Sequence, residues 1–392
     1  MFALHARLRL LCDGVNQFAM EPSIRDWQVL ILAGGMGTRL RPLSINSPKT
    51  LIPVCNISLL ARILRELQVA GLCDATVTLP SMGEEVISQA KKARPPGFNL
   101  DIKCQSGPFG GTVPSVRELL DQRDSPVLVI YGDSLLSVDF TAFLDFHFRV
   151  RMQGAAATIL SHYPSDLCLE ETPGHSLYGV MAIDANGRVT RFLEKPKVTE
   201  IARGFDIANA AAFFCERSLF KNDRFLEARD FSYDIFQPAI NMGLAPIYAY
   251  DIGAGFRYDI GSIRRLYEIS IAILNGHIPA YIPGTQSCPG VWRGNDQVSI
   301  AGAIPPVLLG DSLQIAEKVQ VGPDVILGDR CVIGFGAKVS RSIVMEGCRI
   351  GAGVVMDSCI LGPHCVIENN QHLPKHTVLG AYGVVGNAIW HS

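Results

Sequence analysis

The amino-acid sequence predicts an α/β domain with a mostly parallel sheet, followed by a left-handed parallel β-helix. Strand-like apolar runs alternate with helical patterns from Trp27 to about Asn275. Aliphatic residues then recur every six positions from Leu309 onward. A glycine-rich segment directly after the first apolar run is the third informative feature, because it places a candidate binding loop at the end of a strand.

Four apolar runs, each followed by a helical pattern, predict βαβ units. They are Val29–Ala33 with Leu59–Ala70, Ala75–Leu79 with Glu84–Ala93, Leu100–Cys104 with Ser115–Leu120, and Val127–Tyr131 with Phe140–Val150. Parallel strands need such crossover connections, so we expect a Rossmann-like, mostly parallel sheet with helices on both faces. The later runs lie closer together, which indicates some antiparallel additions: Ala155–Leu160, Gly179–Ile183, Val189–Leu193 and Ala208–Phe214.

The six-residue period predicts hexapeptide repeats, in which one aliphatic side chain per short strand fills the axis of a triangular coil. The positions are Leu309, Ile315, Val321, Leu327, Ile333 and Val339, followed by Val344, Ile350, Met356, Leu361 and Ile367. Chance spacing in an apolar segment is the alternative. A histidine and four cysteines in this part are expected to be structural: His364, Cys331, Cys348, Cys359 and Cys365.

Changes in the sequence pattern along the chain predict five segments. Residues 1–26 form an extension outside the core, explained either by an upstream start with Met20 as the ordinary initiator or by an additional helix. Residues 27–275 form the α/β domain, 276–297 a linker rich in glycine and proline, 298–380 the β-helix, and 381–392 a tail.

Composition excludes several classes of function. The 35 basic and 37 acidic residues of the 392-residue chain nearly balance, so neither nucleic acid nor an anionic membrane surface is an expected partner. No apolar run reaches the roughly 18 residues that cross a bilayer. The 11 scattered cysteines fit reduced thiols in a cytoplasmic protein better than a disulfide framework.

The glycine-rich segment after the first strand predicts a site for a polyphosphate. Gly34, Gly35 and Gly37 allow a sharp turn that exposes backbone N–H groups. Arg39 and Lys49 supply positive charge for phosphate oxygens. A structural turn with solvated arginines is the alternative.

The whole string from Leu32 to Pro42, with Ser47-Pro48-Lys49 downstream, resembles the signature of the sugar-1-phosphate nucleotidyltransferases. This resemblance implies a nucleoside triphosphate and a sugar 1-phosphate as substrates and Mg²⁺ as the cofactor. Within the motif it assigns Thr38 and the three glycines to substrate binding and Arg39 to catalysis. Longer members of the family carry a C-terminal β-helix.

Two aspartates are the candidate metal ligands. Asp133 follows the apolar run Val127–Tyr131, at the carboxyl end of a predicted strand where ligands of open α/β sheets bind. Asp259 resembles the aspartate of the family's Trp-x-Asp-(Ile/Val)-Gly element, with Phe256 or Tyr258 in place of the tryptophan. A helix N-cap for Asp133 and a turn position for Asp259 are the alternatives.

The sugar is expected to bind where Glu194-Lys195-Pro196 matches the family's Glu-Lys-Pro. The resemblance assigns the sugar hydroxyls to Glu194 and gives the sugar phosphate to Lys195 together with Lys49. Tyr178 and Gly179 match a strand that the sugar approaches, and Asn209 matches the family's Asn-x-Gly, although Ala211 replaces its glycine. A surface salt pair is the alternative for Glu194 and Lys195.

The predicted base-binding loop departs most from the family pattern. Gly111 aligns with a loop glycine, and Gln105 could contact a base edge. Val113-Pro114 stiffens the segment and removes an N–H donor.

Together these features predict transfer of a nucleotidyl group to a sugar 1-phosphate, with GDP-mannose as the expected product. Formation of dTDP- or UDP-glucose is one alternative, and a non-catalytic subunit that senses nucleotide sugars is another. The β-helix is expected to make the protein a homo-oligomer.

Overall fold

The structure is a computed structural model of the chain. It describes residues 27–80, 83–105, 111–122, 125–163, 174–176, 178–201, 205, 207–296 and 301–386. The predicted N-terminal extension with Met20 lies outside these ranges, as do residue 297 of the predicted linker and residues 387–392 of the predicted tail.

The described residues before Gly276 form an α/β domain. Its strands are β1 (Gln28–Leu32), β2 (Pro53–Val54), β3 (Ile57–Ser58), β4 (Asp74–Pro80), β5 (Asn99–Gln105), β6 (Val127–Tyr131), β7 (Ser134–Ser137), β8 (Ala157–His162), β9 (Val180–Ile183), β10 (Val189–Leu193), β11 (Ile207–Cys215), β12 (Ile247–Asp251) and β13 (Phe256–Asp259). Its α-helices are α1 (Leu59–Val69), α2 (Glu84–Lys92), α3 (Thr112–Gln122), α4 (Phe140–Arg151), α5 (Gln237–Asn241) and α6 (Ile263–Leu274).

The main sheet confirms the predicted parallel arrangement with antiparallel additions. Strands β5, β4, β1 and β6 lie side by side in parallel. Strand β11 pairs antiparallel with β6 and continues into β9 and β10, while β8 and β12 join from β11. Apolar cores cover the two sides of this sheet, and all five residues of β1 are buried.

Side-chain caps fix where three of the helices begin. The hydroxyl of Ser58 accepts a hydrogen bond from the Ala61 N–H at the start of α1, and the hydroxyl of Ser262 accepts one from Arg265 at the start of α6. The carboxylate of Asp139 accepts a hydrogen bond from the Ala142 N–H at the start of α4. Such caps satisfy N–H groups that have no partner inside the helix.

The residues after Gly276 confirm the predicted β-helix, since the strands from β15 (Val291–Arg293) onward form parallel sheets between successive coils, while β14 (Thr285–Cys288) pairs antiparallel with β15. The strands are β14 (Thr285–Cys288), β15 (Val291–Arg293), β16 (Val307–Leu309), β17 (Gln314–Ile315), β18 (Gln320–Val321), β19 (Val325–Leu327), β20 (Val332–Ile333), β21 (Lys338–Ser340), β22 (Ile343–Val344), β23 (Arg349–Ile350), β24 (Val355–Asp357), β25 (Ile360–Leu361), β26 (Val366–Ile367), β27 (Val378–Leu379) and β28 (Val384–Val385). Strands β14 and β15 lie within the predicted linker, and β28 lies within the predicted tail.

The predicted repeat positions fill the interior of the coils. Leu327, for example, is fully buried, and the four cysteines expected to be structural lie in the same core. His364 adopts a left-handed backbone conformation and stacks on Tyr382 with ring centroids 5.2 Å apart. Ile315 at one end of the stack is only partly buried.

One face of the β-helix shares a core with the α/β domain. Successive residues of a strand point to opposite sides, so Ile326, Ile343 and Ile360 point away from the axis. They pack in one cluster with α6 and with Leu40 and Leu43, which follow the glycine-rich segment. The side-chain amide of Asn56 also donates a hydrogen bond to the carbonyl of Leu327 at 2.7 Å. The coils therefore support the segment that continues from the predicted phosphate loop.

The described ranges contain no helix with the length and apolar character needed to cross a bilayer. The cysteines within these ranges are all free thiols.

Candidate active site

A two-stranded ribbon brings the two predicted metal ligands together. Strand β7 pairs antiparallel with β13, and the register places Asp259 opposite Ser134, the neighbour of Asp133. The α4 N-cap is Asp139, and Asp133 instead lies between β6 and β7, so the helix-cap interpretation of Asp133 is wrong. Two carboxylates that are distant in sequence thus lie side by side at the carboxyl end of β6.

Lys49 lies between these carboxylates. Its ammonium nitrogen is 3.2 Å from Oδ2 of Asp133 and 2.9 Å from Oδ1 of Asp259. The Lys49 side chain is only 9% exposed, whereas that of Asp133 is 49% exposed and faces solvent. Arg39 approaches Asp259 at 4.0 Å from the exposed side. Both carboxylates therefore face one positively charged point, which is the arrangement that a shared cation would require.

The charges around Asp133 keep it ionised. Desolvation by the surrounding protein would raise the pKa of Asp133, but the positive charges of Lys49 and Arg257 outweigh that effect and hold this pKa below its usual value. Among the described residues no group of three or more His, Cys, Asp or Glu side chains converges, so the candidate metal site rests on two carboxylates. Such a pair fits Mg²⁺, which usually binds one or two carboxylates together with substrate phosphates and water.

The glycine-rich segment forms an open loop after β1. Gly37 has φ +55°, in the left-handed region that favours glycine, and the Ser44 hydroxyl donates a hydrogen bond to its carbonyl at 2.7 Å. Gly34 is half-buried, while Gly35 and Thr38 are exposed. A short 3₁₀ turn, Thr38–Leu40, follows and presents Arg39 to solvent, while Leu40 is buried.

A cleft of about 710 Å³ extends from the carboxylates. Eight of the residues that line it are predicted site residues: Arg39, Asp133, Tyr178, Gly179, Glu194, Lys195, Asn209 and Asp259. Eight others line it as well: Tyr131, His175, Ser176, Ala211, Asp230, Ser232, Tyr233 and Arg257. This size is typical of a pocket for a small molecule.

Glu194 lies in the wall of this cleft. Burial raises the pKa of its carboxyl above the usual value, even with the ammonium of Lys195 at 3.9 Å. Its Oε2 atom is buried and has no hydrogen-bond partner among the described residues. A side chain on Gly179 would lie 2.5 Å from this oxygen and 2.6 Å from the Phe192 ring, so glycine at this position makes room for Glu194. The carboxyl group therefore has hydrogen-bonding capacity that the described residues do not use.

Asn209 and Ala211 form an irregular turn within β11. The side-chain oxygen of Asn209 accepts a hydrogen bond from the Ala211 N–H at 3.0 Å, and the pairing with β8 shifts register here. Ala211 has φ +63°, a conformation that glycine adopts without strain. The replacement of the family's glycine by alanine therefore leaves the backbone geometry in place at an energetic cost.

Replacing Ala211 by glycine is expected to raise the free energy of unfolding by up to about 1 kcal/mol, because it removes the strain of a left-handed alanine. Chemical denaturation of the purified variant measures this change. Ala210→Gly is the matched control, since Ala210 is buried and has no left-handed backbone, and we expect it to lower stability. Equal losses of stability in both variants would contradict the interpretation.

The structure describes only part of the segment that is predicted to contact the base. Gln105 ends β5, and residues 106–110, which include the first two residues of the predicted loop 109–116, lie outside the described ranges. Gly111 has φ +76° and packs against the carbonyl of Arg229, which accepts hydrogen bonds from the N–H groups of Thr112 and Val113. Helix α3 begins at Thr112, earlier than the predicted Ser115. Pro114 therefore lies in a first helical turn, where a missing N–H costs little.

Several residues that line the cleft were not predicted from the sequence. Ser232 and Tyr233 belong to a π-helical turn, Phe231–Phe236, whose N–H groups at both positions donate to the carboxylate of Asp230. No local sequence motif predicts this turn. The sequence motif could have identified Arg257, because the tryptophan of a Trp-x-Asp element lies two residues before the aspartate. That position is Arg257 in this chain, and the assignment to Phe256 or Tyr258 was wrong.

Comparison with known proteins identifies the family. The nucleotidyl transferase model matches residues 28–276, and the GMPPB C-terminal domain model matches residues 303–390. The chain belongs to the nucleotidyl transferase family. These matches confirm the resemblance inferred from the glycine-rich segment and show that the chain is an enzyme of this class.

Individual relatives cover most of the chain at low identity. UTP–glucose-1-phosphate uridylyltransferase of Synechocystis sp. is 29% identical over 340 residues, which are 81% of this chain and 83% of the relative. Probable mannose-1-phosphate guanylyltransferase 3 of Oryza sativa subsp. japonica is 26% identical over 375 residues, 93% of each chain. Mannose-1-phosphate guanylyltransferase of Mycobacterium tuberculosis is 27% identical over 325 residues, 81% of this chain and 82% of the relative.

Proposed function

We propose that the chain transfers a nucleotidyl group from a nucleoside triphosphate to a sugar 1-phosphate, with GDP-mannose as the product. The observation that carries this proposal is the convergence of Asp133 and Asp259 on one cationic centre beside a cleft that contains Glu194. In this proposal residues 27–275 perform the transfer and residues 298–380 support them.

The reaction is an in-line substitution at the α-phosphorus. An oxygen of the sugar phosphate forms a bond to this phosphorus, and the bond to the bridging oxygen of pyrophosphate breaks. The attacking oxygen is already anionic, so no protein base is required. Phosphoryl-type transfer depends mainly on positioning and on neutralisation of charge.

Each group of the chain has a defined task in this scheme. The loop with Gly34, Gly35 and Gly37 places N–H groups beside the triphosphate, and Arg39 neutralises the β- and γ-phosphates and the departing pyrophosphate. Lys195 faces the sugar phosphate, and Glu194 accepts hydrogen bonds from sugar hydroxyls. Asp133 and Asp259 would hold Mg²⁺, which supplies positive charge beside the phosphates when it is bound.

Guanine and mannose are the finer part of the proposal. The relatives named as mannose-1-phosphate guanylyltransferases support it, and so does the match to the GMPPB C-terminal domain. The uridylyltransferase relative, which has the highest identity of the three, favours UTP and glucose 1-phosphate as the second candidate pair. Self-association through the β-helix, a cytoplasmic location and contacts to the base from Gln105 and Gly111 stay predictions.

Release of pyrophosphate from a panel of substrates tests the proposal. GTP, UTP, dTTP and ATP are each combined with mannose 1-phosphate or glucose 1-phosphate in the presence of MgCl₂. We expect the highest kcat/KM with GTP and mannose 1-phosphate. A preference for UTP and glucose 1-phosphate would establish the second candidate, and no release with any pair would overturn the proposed function.

Removal of divalent cations is expected to abolish turnover. Without a cation the negative charges of Asp133 and Asp259 oppose a triphosphate in the same cleft. Pyrophosphate release should fall to background in EDTA and return when excess Mg²⁺ is added. An unchanged rate in EDTA would exclude the shared-cation role of the two aspartates.

A further inference from the structure

Arg257 belongs to strand β13 and lines the cleft. It precedes Asp259 by two residues, so both side chains are on the same side of the strand. Nη2 of Arg257 donates a hydrogen bond to the Ser134 hydroxyl at 3.1 Å, next to Asp133. Its Cζ atom lies 4.5 Å from the centre of the Tyr178 ring. The guanidinium therefore connects the carboxylate end of the cleft with the end that contains Tyr178.

Two donors of this guanidinium are unused. Nε and Nη1 of Arg257 are buried and have no hydrogen-bond partner among the residues that the structure describes. A buried donor without a partner is destabilising, and more so when it is charged. An arginine whose only purpose was to stack on Tyr178 would gain nothing from this arrangement. An anionic ligand that approached this guanidinium from the cleft would give it a partner that the described residues do not supply.

Lys49 is poorly placed for such a ligand. Its ammonium group contacts the carboxylates of both Asp133 and Asp259, which neutralise its charge, and its side chain is almost completely buried. Lys195 lines the cleft and is more than half exposed, so it remains available. Among the described residues on the sugar side of the carboxylates, Arg257 and Lys195 are thus the cations that line the cleft with capacity for an anion.

We propose that Arg257 binds the phosphate group of the sugar 1-phosphate, together with Lys195, in the place that the family resemblance assigns to Lys49. This inference rests on the proposed function and specifies its sugar-phosphate site. A guanidinium suits the task because its fixed donors match phosphate oxygens, and stacking on Tyr178 fixes its plane. Lys49 then serves to hold the two aspartates side by side.

Equilibrium binding of mannose 1-phosphate and of glucose 1-phosphate, each without nucleotide, tests this assignment by calorimetry on the full chain. Arg257→Met keeps the aliphatic stem but removes the donors. We expect the Kd for both sugar phosphates to rise by about 10- to 100-fold, the range of hydrogen bonds to charged groups. The Kd for the nucleoside triphosphate should change less than about 2-fold, because Arg257 does not contact it in the proposal.

Three further measurements make the test specific. Arg264→Met is the matched control, since Arg264 is an exposed residue of α6 paired with Glu268, and it should leave both affinities unchanged. Lys195→Ala should weaken sugar-phosphate binding, as Arg257→Met does. Arg257→Lys retains the charge and should recover part of the affinity, and it provides the readout if the methionine variant does not fold.

The outcomes separate the inference from the proposed function. Active wild-type enzyme with unchanged sugar-phosphate affinity in folded Arg257→Met, or in Arg257→Lys if only that variant folds, would overturn the inference alone. A loss of affinity for one epimer only would also overturn it, because the contact would then be to the sugar ring. Wild-type protein that neither binds a sugar 1-phosphate nor releases pyrophosphate would overturn both.

Discussion

Replacing Asp133 by asparagine is expected to lower kcat by on the order of 10²- to 10³-fold, as removal of one preorganised electrostatic group does in other enzymes. The amide keeps the shape of the side chain but removes one of the two negative charges of the Asp133–Asp259 pair. Lys49 keeps its contact with Asp259 at 2.9 Å, so the fold should be preserved. Steady-state release of pyrophosphate measures the effect.

Asp139→Asn is the matched control for this substitution. Asp139 caps α4 and is not among the cleft residues, and asparagine is as good an N-cap as aspartate. The control variant should therefore retain wild-type kcat and stability. A near-normal rate in Asp133→Asn would contradict the metal-ligand role and leave the carboxylate pair without an explanation.

Replacing Gly261 by alanine is expected to lower kcat at least about 10-fold and to cost about 1–3 kcal/mol of stability through overpacking. The new methyl group would collide with the carboxylate of Asp259 and would lie 2.9 Å from Nη2 of Arg39. The carboxylate would have to move away from Lys49, and small displacements of catalytic groups are costly. Turnover and thermal unfolding of the same preparation measure both effects.

Gly243→Ala separates the effect on the site from the general cost of losing a glycine. Gly243 has φ +65° and open space around the position of an added Cβ atom. Alanine there should cost about 1 kcal/mol of stability and leave kcat unchanged. If Gly261→Ala behaved in the same way, the close packing of Gly261 against Asp259 would not matter for catalysis.

Local sequence predicted the parts of the site that lie on single segments. The loop from Gly34 to Arg39 follows an apolar strand, and the aspartate Asp133 follows another, so motif and periodicity together indicated a ligand site at the carboxyl ends of parallel strands. The six-residue period likewise predicted the β-helix, because each repeat position has the same environment. The prediction of the β-helix succeeds because the relevant physics acts over a few neighbouring residues.

Contacts between distant segments were not predictable in the same way. The register of β7 with β13 decides which residues flank Asp133, and a shift of one residue would have moved Arg257 out of the cleft. The position of Lys49 between two carboxylates also depends on three separate segments. Pro114 led us to predict a stiff loop, but this residue lies in the first turn of α3. A proline is compatible with a helix at that position.

The outward-facing isoleucines of the coils, Ile326, Ile343 and Ile360, make the stability of the α/β domain depend on the β-helix. A chain shortened before Gly276 would leave Leu40, Leu43 and the apolar side of α6 in water. Polar substitutions at these isoleucines would therefore weaken the packing beneath the turn that presents Arg39, although the isoleucines lie outside the cleft. Substitutions in the repeats are therefore expected to alter the activity of the α/β domain from a distance.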